Sequence, residues 1–417
     1  MSSLYICLFL TTKSLQAMVR HGRTFRIHGT GCCLVDYLFH PVDLSGRALG
    51  KYISVSPGDG GLTVGGLVFT GELEKFSRKH YTELRDEITG RQGPVKVNVG
   101  GPSVVSLIHS AQMLHGTGAE VVFHGCRGND SPGQYLEETV AKTPLSAIFR
   151  IKDDFTPFTD VLSDPGYNNG LGERMFINNM GAAGLFTPED LDETFFHADI
   201  AAFGGTALVP GIHRSLDLLL ERAVNNGAVT VVNTVYDFIS EKNDPAGPWP
   251  VGSGTGCYRY IDMLIADREE ALRHSGRETV DEAVRYFMDH GVGAVIVTCG
   301  ADPVTFSADG SLAGYVETAT LPVSEKVRSD ICNNRLVKGD TTGCGDNFAG
   351  GVIASVARQM ISAPGTELSL HEAVKFGIAS GGYACYYLGG TLLESRPGEK
   401  LDKVTEIYDN YISRQDM

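Results

Sequence analysis

Positive charge is scarce in this sequence of 417 residues: 35 Lys and Arg stand against 50 Asp and Glu, a formal net charge of −15. A chain this acidic is repelled by the phosphates of nucleic acids and by anionic lipid surfaces. We therefore expect neither nucleic acid nor a membrane among its partners. A site for a phosphate group would have to take its positive field from backbone amides and a bound metal ion.

Metal-binding cysteine patterns are also missing. The nine cysteines form no CxxC pair and no Cys/His cluster with the spacing of a zinc site. Their odd number and scattered positions fit reduced thiols, which predicts a cytoplasmic protein.

No long apolar run is present at the start of the chain. The apolar stretch at residues 4–10 is too short to span a bilayer. No basic residue precedes it, as one would in a signal peptide. We interpret residues 1–22 as a disordered N-terminal extension, with Met18 as an alternative start, and residues 23–417 as one domain.

Two common nucleotide-binding motifs are absent. The sequence has no GxxxxGK[ST], which excludes the usual P-loop. It also has no GxGxxG, because "GTGCCL" at Gly29 lacks the third glycine, and this argues against a dinucleotide-dependent dehydrogenase.

The sequence does contain apolar strands that alternate with helical segments, such as "ADIAAFGGT" followed by "GIHRSLDLLLERAVNNG". This order is typical of a mostly parallel sheet covered by helices on both faces, with ligands at the carboxyl ends of the strands. Segments near 43–69 and 148–180 depart from it and resemble short antiparallel strands. We expect them to form a small β lid that covers the substrate.

One short stretch, "VKGDTTGCGDNFAGG" at residues 337–351, holds five glycines and two aspartates at the start of a predicted helix. A helix start presents unpaired N–H groups and the positive end of the helix dipole, and glycines let a ligand approach them. Such a turn is suited to an anion, often a phosphate. The acid within it, Asp346, then needs a role other than binding that anion.

The "DTTGCGD" of this stretch resembles the D-T-x-G-x-G-D signature of the ribokinase-like, phosphofructokinase B type, carbohydrate and nucleoside kinase family. Other family motifs have counterparts in the same order, and the resemblance covers residues 24–395: Gly31-x4-Asp36, Gly100-Gly101, "GCRGNDSPG", "ADREE" and "VTCGADPV". It implies a three-layer α/β/α fold with a mostly parallel central sheet and a small antiparallel β lid.

The resemblance also implies roles for individual residues. Asp346 matches the catalytic base, and the amides of Gly343, Cys344 and Gly345 match the anion hole. The family positions that bind substrate hydroxyls correspond to Asp36, Gly100 and Gly101. Those near the nucleotide phosphates correspond to Thr298, Gly300 and Thr341. ATP and Mg²⁺ are the implied cofactors, with Mg²⁺ held through water by Asp267 and Glu270. Asp340 and Thr342 match positions that hold a monovalent cation such as K⁺ in some members.

Some of these residues also have plain structural interpretations. Asp36 fits a turn residue at the end of a strand, and Asp267 and Glu270 fit the solvated first turn of a helix. The "DTTGCGD" segment itself fits a glycine-rich loop capped by aspartates.

Five positions depart from the family pattern. Cys344 stands for the usual alanine, which should matter little because its amide is the functional group. Val105 and Ala183 stand where many members have asparagine, Asp267 replaces the asparagine of N-x-x-E, and Pro303 replaces the last glycine of T-x-G-x-x-G. None of these changes removes the base or the anion hole, but they leave the identity of the acceptor open.

The leading hypothesis is an ATP-dependent phosphotransferase acting on an alcohol of a sugar or nucleoside. The alternatives are a sugar-binding regulator of the same fold with weak catalysis, and a nucleotide-dependent oxidoreductase on a similar sheet. The resemblance further implies a homodimer that pairs through the lid.

Overall fold

The computed structural model describes residues 23–56, 58–170, 173–333 and 341–415. The strands in these residues are β1 Arg26–Gly31, β2 Leu34–Phe39, β3 Leu67–Phe69, β4 Lys96–Gly100, β5 Glu120–Gly128, β6 Ser146–Lys152, β7 Phe158–Asp164, β8 Glu173–Asn179, β9 Ile200–Gly204, β10 Val229–Asn233, β11 Met263–Asp267, β12 Ala294–Cys299, β13 Asp302–Ala308 and β14 Val316–Leu321.

The α-helices are α1 Arg47–Gly50, α2 Thr70–Ser77, α3 Tyr81–Thr89, α4 Pro102–Met113, α5 Ser131–Val140, α6 Tyr167–Gly170, α7 Pro210–Arg214, α8 Leu216–Asn225, α9 Phe238–Asn243, α10 Arg268–Ser275, α11 Val280–Asp289, α12 Glu325–Cys332, α13 Cys344–Ser362, α14 Leu370–Ala384 and α15 Glu399–Gln415. None of them is both long and apolar enough to cross a membrane.

A nine-stranded sheet forms the centre of the molecule, in the order β14-β13-β12-β11-β10-β9-β1-β5-β6. The strands from β12 to β6 pair in parallel, and β13 and β14 add an antiparallel end. One face packs against α4, α13 and α14, and the other against α8 and α11, through two apolar clusters. The predicted three-layer arrangement with a mostly parallel central sheet is confirmed.

A second sheet of five strands, in the order β3-β8-β7-β2-β4, forms the lid. Its strands pair in both senses: β2–β4 and β7–β8 are antiparallel, whereas β2–β7 and β3–β8 are parallel. Helices α2 and α3 cover one face of this sheet with buried side chains such as Leu73 and Leu84. The lid therefore has an apolar core of its own.

A glycine turn carries the chain from the central sheet into the lid. Strand β1 ends at Gly31, and β2 begins three residues later in the other sheet. Gly31 has φ +134°, and a Cβ there would lie 1.9 Å from the carbonyl oxygen of Gly204. Only glycine fits this close approach to the neighbouring strand, so the turn places the start of the lid directly over the carboxyl ends of β1 and β9.

The lid has different limits from the predicted segments 43–69 and 148–180. Ser146–Lys152 pairs with β5 at the edge of the central sheet, so residues 148–152 do not belong to the lid. Conversely, Leu34–Phe39 and Lys96–Gly100 do belong to it. An edge strand is only partly buried along its length, as the burial of β6 shows, so its pattern does not reveal which sheet it joins.

Candidate active site

The predicted base and anion hole lie at the start of α13, a helix of 19 residues. Gly343 precedes the helix with φ +75°, and a Cβ there would lie 2.4 Å from Cα of Gly390, so the turn requires glycine. Among the described residues, a Cβ at Gly345 would meet no neighbouring atom within 4 Å. Because packing does not demand glycine at that position, the space beside Gly345 is open to a ligand.

The backbone amides of this turn make few hydrogen bonds within the described residues. The Cys344 amide donates a long hydrogen bond of 3.3 Å to the carbonyl of Thr341. In the described part of the chain, the amides of Gly343 and Gly345 have no hydrogen-bond acceptor. Donors of this kind at the positive end of a helix are favourable partners for a phosphoryl oxygen.

Asp346 occupies the first turn of the same helix and is partly exposed. The surrounding protein removes most of the water from its carboxyl group, and this burial raises its pKa to about 6. A carboxylate with such a pKa is ionised at neutral pH and holds a proton more tightly than an ordinary aspartate, which suits a general base.

Two further acids lie close to Asp346. Burial, and after it the charges of Asp36 and Asp346, raise the pKa of the Cys32 thiol well above its usual range, so both carboxylates are near this thiol. The charge of Asp346 is also among the causes that raise the pKa of Glu270, after burial and the charge of Asp267. The structure thus brings together residues from β2, α10 and α13 that are far apart in sequence.

The glycine pair lies beside the segment of residues 32–36, which carries Asp36. A Cβ at Gly100 would lie 1.9 Å from Oδ2 of Asp36, and a Cβ at Gly101, which has φ +103°, would lie 2.7 Å from the carbonyl oxygen of Cys32. The absence of a side chain at Gly100 lets the carboxylate of Asp36 rest against the backbone of β4. The assignment of Asp36, Gly100 and Gly101 to the substrate remains a prediction.

Asp36 belongs to a polar row across the lid that sequence analysis did not identify. In the strand registers it pairs with Asn98 and Thr159, and Thr159 pairs with Asn178. Paired residues share a face of the sheet, and Asn178 Nδ2 donates to Thr159 Oγ1 at 2.9 Å. In the sequence, these residues are visible only as polar positions within apolar strands. They indicate a common site only once the strand registers are known.

Asp267 and Glu270 form the capping box of α10. Asp267 Oδ1 accepts the Glu270 amide at 2.8 Å, and Glu270 Oε2 accepts the Asp267 amide at 3.1 Å and the Thr234 hydroxyl at 2.6 Å. Burial raises the pKa of both carboxyl groups, and for Glu270 the charge of Asp267 adds to this effect. A nearby cation would favour the ionised form of both carboxyl groups and so lower their pKa values.

Asp267 and Glu270 could supply only part of the coordination shell of Mg²⁺. Among the described residues, no group of three or more His, Cys, Asp and Glu side chains could hold a metal ion. Oxygen ligands from water and from a nucleotide would have to complete the coordination, as is common for Mg²⁺.

A cavity of about 490 Å³ lies beside the capping box, at the carboxyl ends of β11 and β12. Its lining includes Thr298 and Gly300, two of the residues predicted to bind the nucleotide, together with Asp267, Arg268 and Arg273. Thr341, the third predicted nucleotide contact, does not line this cavity.

Thr341 and Thr342 instead contact the lid through Arg174, a residue that sequence analysis did not single out. Arg174 lies on β8 and donates to Oγ1 of Thr341 at 2.9 Å and to Oγ1 of Thr342. The monovalent-cation prediction rests on Thr342 and Asp340, and Asp340 lies outside the described residues. That prediction therefore remains a prediction.

Comparison with known proteins agrees with this geometry. Residues 67–395 match the sequence profile of the pfkB family carbohydrate kinases. The adenosine kinase of Saccharomyces cerevisiae is 26% identical over 284 residues, 64% of this chain and 74% of that protein. The adenosine kinase of Schizosaccharomyces pombe is 26% identical over 295 residues, 65% and 75% of the two chains.

Solved structures show the same fold. An adenosine kinase from Schistosoma mansoni in complex with adenosine and AMP superposes with a TM-score of 0.64 at 17% identity, over 88% of this chain and 97% of that one. A ribokinase from Thermotoga maritima gives a TM-score of 0.58 at 18% identity, over 92% and 99% of the two chains. The chain therefore belongs to the pfkB family of carbohydrate kinases and is a carbohydrate or nucleoside kinase, a phosphotransferase with an alcohol as acceptor.

Proposed function

We propose that this protein transfers the γ-phosphoryl group of ATP to a hydroxyl of a sugar or nucleoside, with Asp346 as the general base. The observation that supports this proposal best is the turn before α13. It places a carboxyl with a pKa of about 6 beside amides that have no acceptor in the described residues. Phosphoryl transfer needs a proton acceptor and positive charge around the moving group, and this turn offers both.

The roles of the side chains follow from their positions. Asp36 accepts hydrogen bonds from hydroxyls of the acceptor substrate, and its close contact with Gly100 fixes the position of its carboxylate. The carboxylate of Asp346 takes the proton of the attacking hydroxyl as the O–P bond forms. The amides of Gly343, Cys344 and Gly345 receive the charge of the transferring group.

The nucleotide and its metal belong to the cavity at β11 and β12. Arg268 and Arg273 in its lining can bind phosphate oxygens. The lining also holds Asp267, Glu269 and Asp302, so a bound metal ion would have to offset their negative charge. Mg²⁺ near Asp267 and Glu270 would neutralise phosphate charge. A requirement for K⁺ at Asp340 and Thr342 is part of the same proposal.

Replacement of the base provides the test. Asp346→Asn should lower kcat by about 10²-fold or more and leave Kd for ATP and acceptor within about threefold, because a neutral amide still fits the space. Asp281→Asn, an exposed first-turn acid of α11, is the matched control and should keep full activity. Unchanged turnover in Asp346→Asn would refute the assigned base.

The acceptor can be identified by measuring ADP release with pentoses, hexoses, keto-deoxy sugar acids and nucleosides, with Mg²⁺ and with or without K⁺. The same screen tests the alternative of a regulator without turnover. Buried Val105 and Ala183, in place of asparagine, are the features that favour this alternative. Sugar binding without ADP release under every condition would support it against the kinase proposal.

A further inference from the structure

Lys400 is a buried cation that the proposed mechanism does not use. It lies in the first turn of α15, and only 1% of its surface is exposed. Its Nζ donates to Oδ1 of Asn347 at 2.8 Å and lies 5.3 Å from the centre of the Tyr387 ring. Within the described residues, Lys400 forms no ion pair with a carboxylate. A buried ammonium without a counter-ion is costly, so its presence calls for an explanation.

Asn347 connects this lysine to the anion hole. It is fully buried and follows Asp346 directly. Its Nδ2 donates to the carbonyl of Gly343 at 2.8 Å and to that of Gly390 at 2.9 Å. A Cβ at Gly343 would lie only 2.4 Å from Cα of Gly390, so the two segments approach closely and this one amide ties them together. Its oxygen accepts from Lys400 and, at 3.0 Å, from the Tyr387 hydroxyl.

The protonation state of Lys400 should respond to an anion bound at the turn that contains Gly343. Burial lowers its pKa to about 7, and the charge of Glu394 opposes this shift. Burial and the Lys400 charge lower the pKa of His109, and burial raises that of Tyr387, so both neighbours are neutral. A phosphoryl group near Gly343 would favour the protonated ammonium and gain electrostatic stabilisation from it.

We propose that Lys400 is a positioning residue for phosphoryl transfer: it holds the Asn347 amide against the carbonyls of Gly343 and Gly390 and so fixes the anion-hole turn. This inference rests on the proposed kinase function. Lys400 lies on α15 and acts through Asn347, without touching the substrate itself. A hydrogen bond from an ammonium also polarises the Asn347 amide and strengthens the bonds that its Nδ2 donates.

Lys400→Met tests the role, because methionine fills the space without the charge. We expect kcat to fall by about tenfold or more while KM for ATP and acceptor changes by less than about threefold. Thermal stability should be unchanged or higher, since an apolar side chain replaces an unpaired buried charge. Lys403→Met, an exposed lysine of the same helix, should behave as the wild type.

A double-mutant cycle and hydrogen exchange complete the test. Asn347→Ala should lower kcat as Lys400→Met does, and the double variant should be no worse than the poorer single variant, because both act through one amide. The peptide covering residues 341–350 should exchange faster in Lys400→Met than in the wild type. Additive losses, or a Lys400→Met variant with wild-type kcat and exchange, would overturn the inference.

The exchange experiment separates the two proposals. If the wild-type protein shows no turnover with any acceptor, the proposed kinase function fails. Faster exchange at residues 341–350 in Lys400→Met would then still show that Lys400 fixes the turn. Equal exchange in both proteins would reject the role of Lys400 whatever the activity.

Discussion

At the scale of single residues, Asp346 must be ionised to accept a proton, yet its surroundings favour the neutral acid. Its pKa of about 6 is raised by burial. We therefore expect kcat/KM to rise about tenfold between pH 5 and pH 7 as this carboxyl loses its proton, and then to level off. A pH–rate profile measures this. A profile that is flat between pH 5 and pH 7 would contradict the assignment of Asp346 as the base.

The same shift predicts a stability effect. A pKa of about 6 in the folded protein exceeds the value of about 3.9 for an unfolded aspartate, so ionisation of Asp346 destabilises the fold as the pH rises from about 4 to above 6. Asp346→Asn should raise the free energy of unfolding at pH 7.5 by about 1–2 kcal/mol. The gain should shrink at pH 4.5, and urea unfolding at the two pH values measures it. An equal gain at both values would mean that the charge is not its cause.

Two glycines of the anion hole should respond differently to alanine. At Gly343 a Cβ meets the Gly390 backbone and φ is positive, so Gly343→Ala should lower both stability and activity. At Gly345 a Cβ would meet no neighbouring atom of the described residues within 4 Å, so Gly345→Ala should keep the thermal midpoint. It should lower kcat by about tenfold or more, as a methyl group enters the proposed phosphate site. Thermal unfolding and ADP release on both variants distinguish the two effects. Full activity in Gly345→Ala would show that the ligand does not lie there.

Sequence analysis could single out candidate site residues where the proposed chemistry is contiguous in sequence. Asp346 and its glycines lie within four positions, so one motif contains the whole turn. Arg174, Asn178 and Lys400 reach the site from separate elements, and only the folded chain brings them there. No local pattern marks such residues, because each is an ordinary polar residue in its own strand or helix.

At the scale of elements, β8 of the lid is joined to the loop before α13 by Arg174. Arg174→Ala removes its hydrogen bonds to Thr341 and Thr342, and we expect kcat/KM to fall by about tenfold or more because the lid no longer orders that loop. Arg47→Ala, an exposed arginine of the lid helix α1, is the control. Steady-state kinetics of both variants decide this, and equal kcat/KM in the two would show that the contact has no catalytic role.

The elements of the central sheet were predictable because continuous apolar strands between helices leave few alternatives. The lid was harder to delimit. Its β2 strand follows β1 after two residues in one apolar run, and only the turn at Gly31 separates the two sheets. The mixed pairing of the lid also depends on contacts between strands more than 50 residues apart in several cases, such as β2 and β7, which local periodicity does not encode.

At the scale of the whole molecule, the lid is tied to the main body near the site. Phe69 of β3 packs edge-on against Phe238 with ring centres 6.3 Å apart, and Glu72 pairs with Lys242. The face of the lid sheet under α2 and α3 is already covered by the chain itself. The predicted homodimer through the lid would therefore have to use the other face of the sheet, its strand edges or the helices. Light scattering at working concentration tests it, and a monomer would refute it.

Asp36, the proposed contact of the acceptor substrate, lies on the lid, and the proposed nucleotide cavity lies on the central sheet. The two ligands should therefore stabilise the protein together. A ligand at 100 times its Kd adds about 2.7 kcal/mol to the unfolding free energy. Binding of either ligand also offsets part of the free energy needed to close the lid. A Mg-ATP analogue and an acceptor together should therefore raise Tm by more than the sum of their separate shifts. Arg174→Ala loosens that closure, and the excess should shrink in this variant while the separate shifts remain. Additive shifts in the wild type would mean that the lid and the central sheet bind their ligands independently, and lid closure could not then assemble the site.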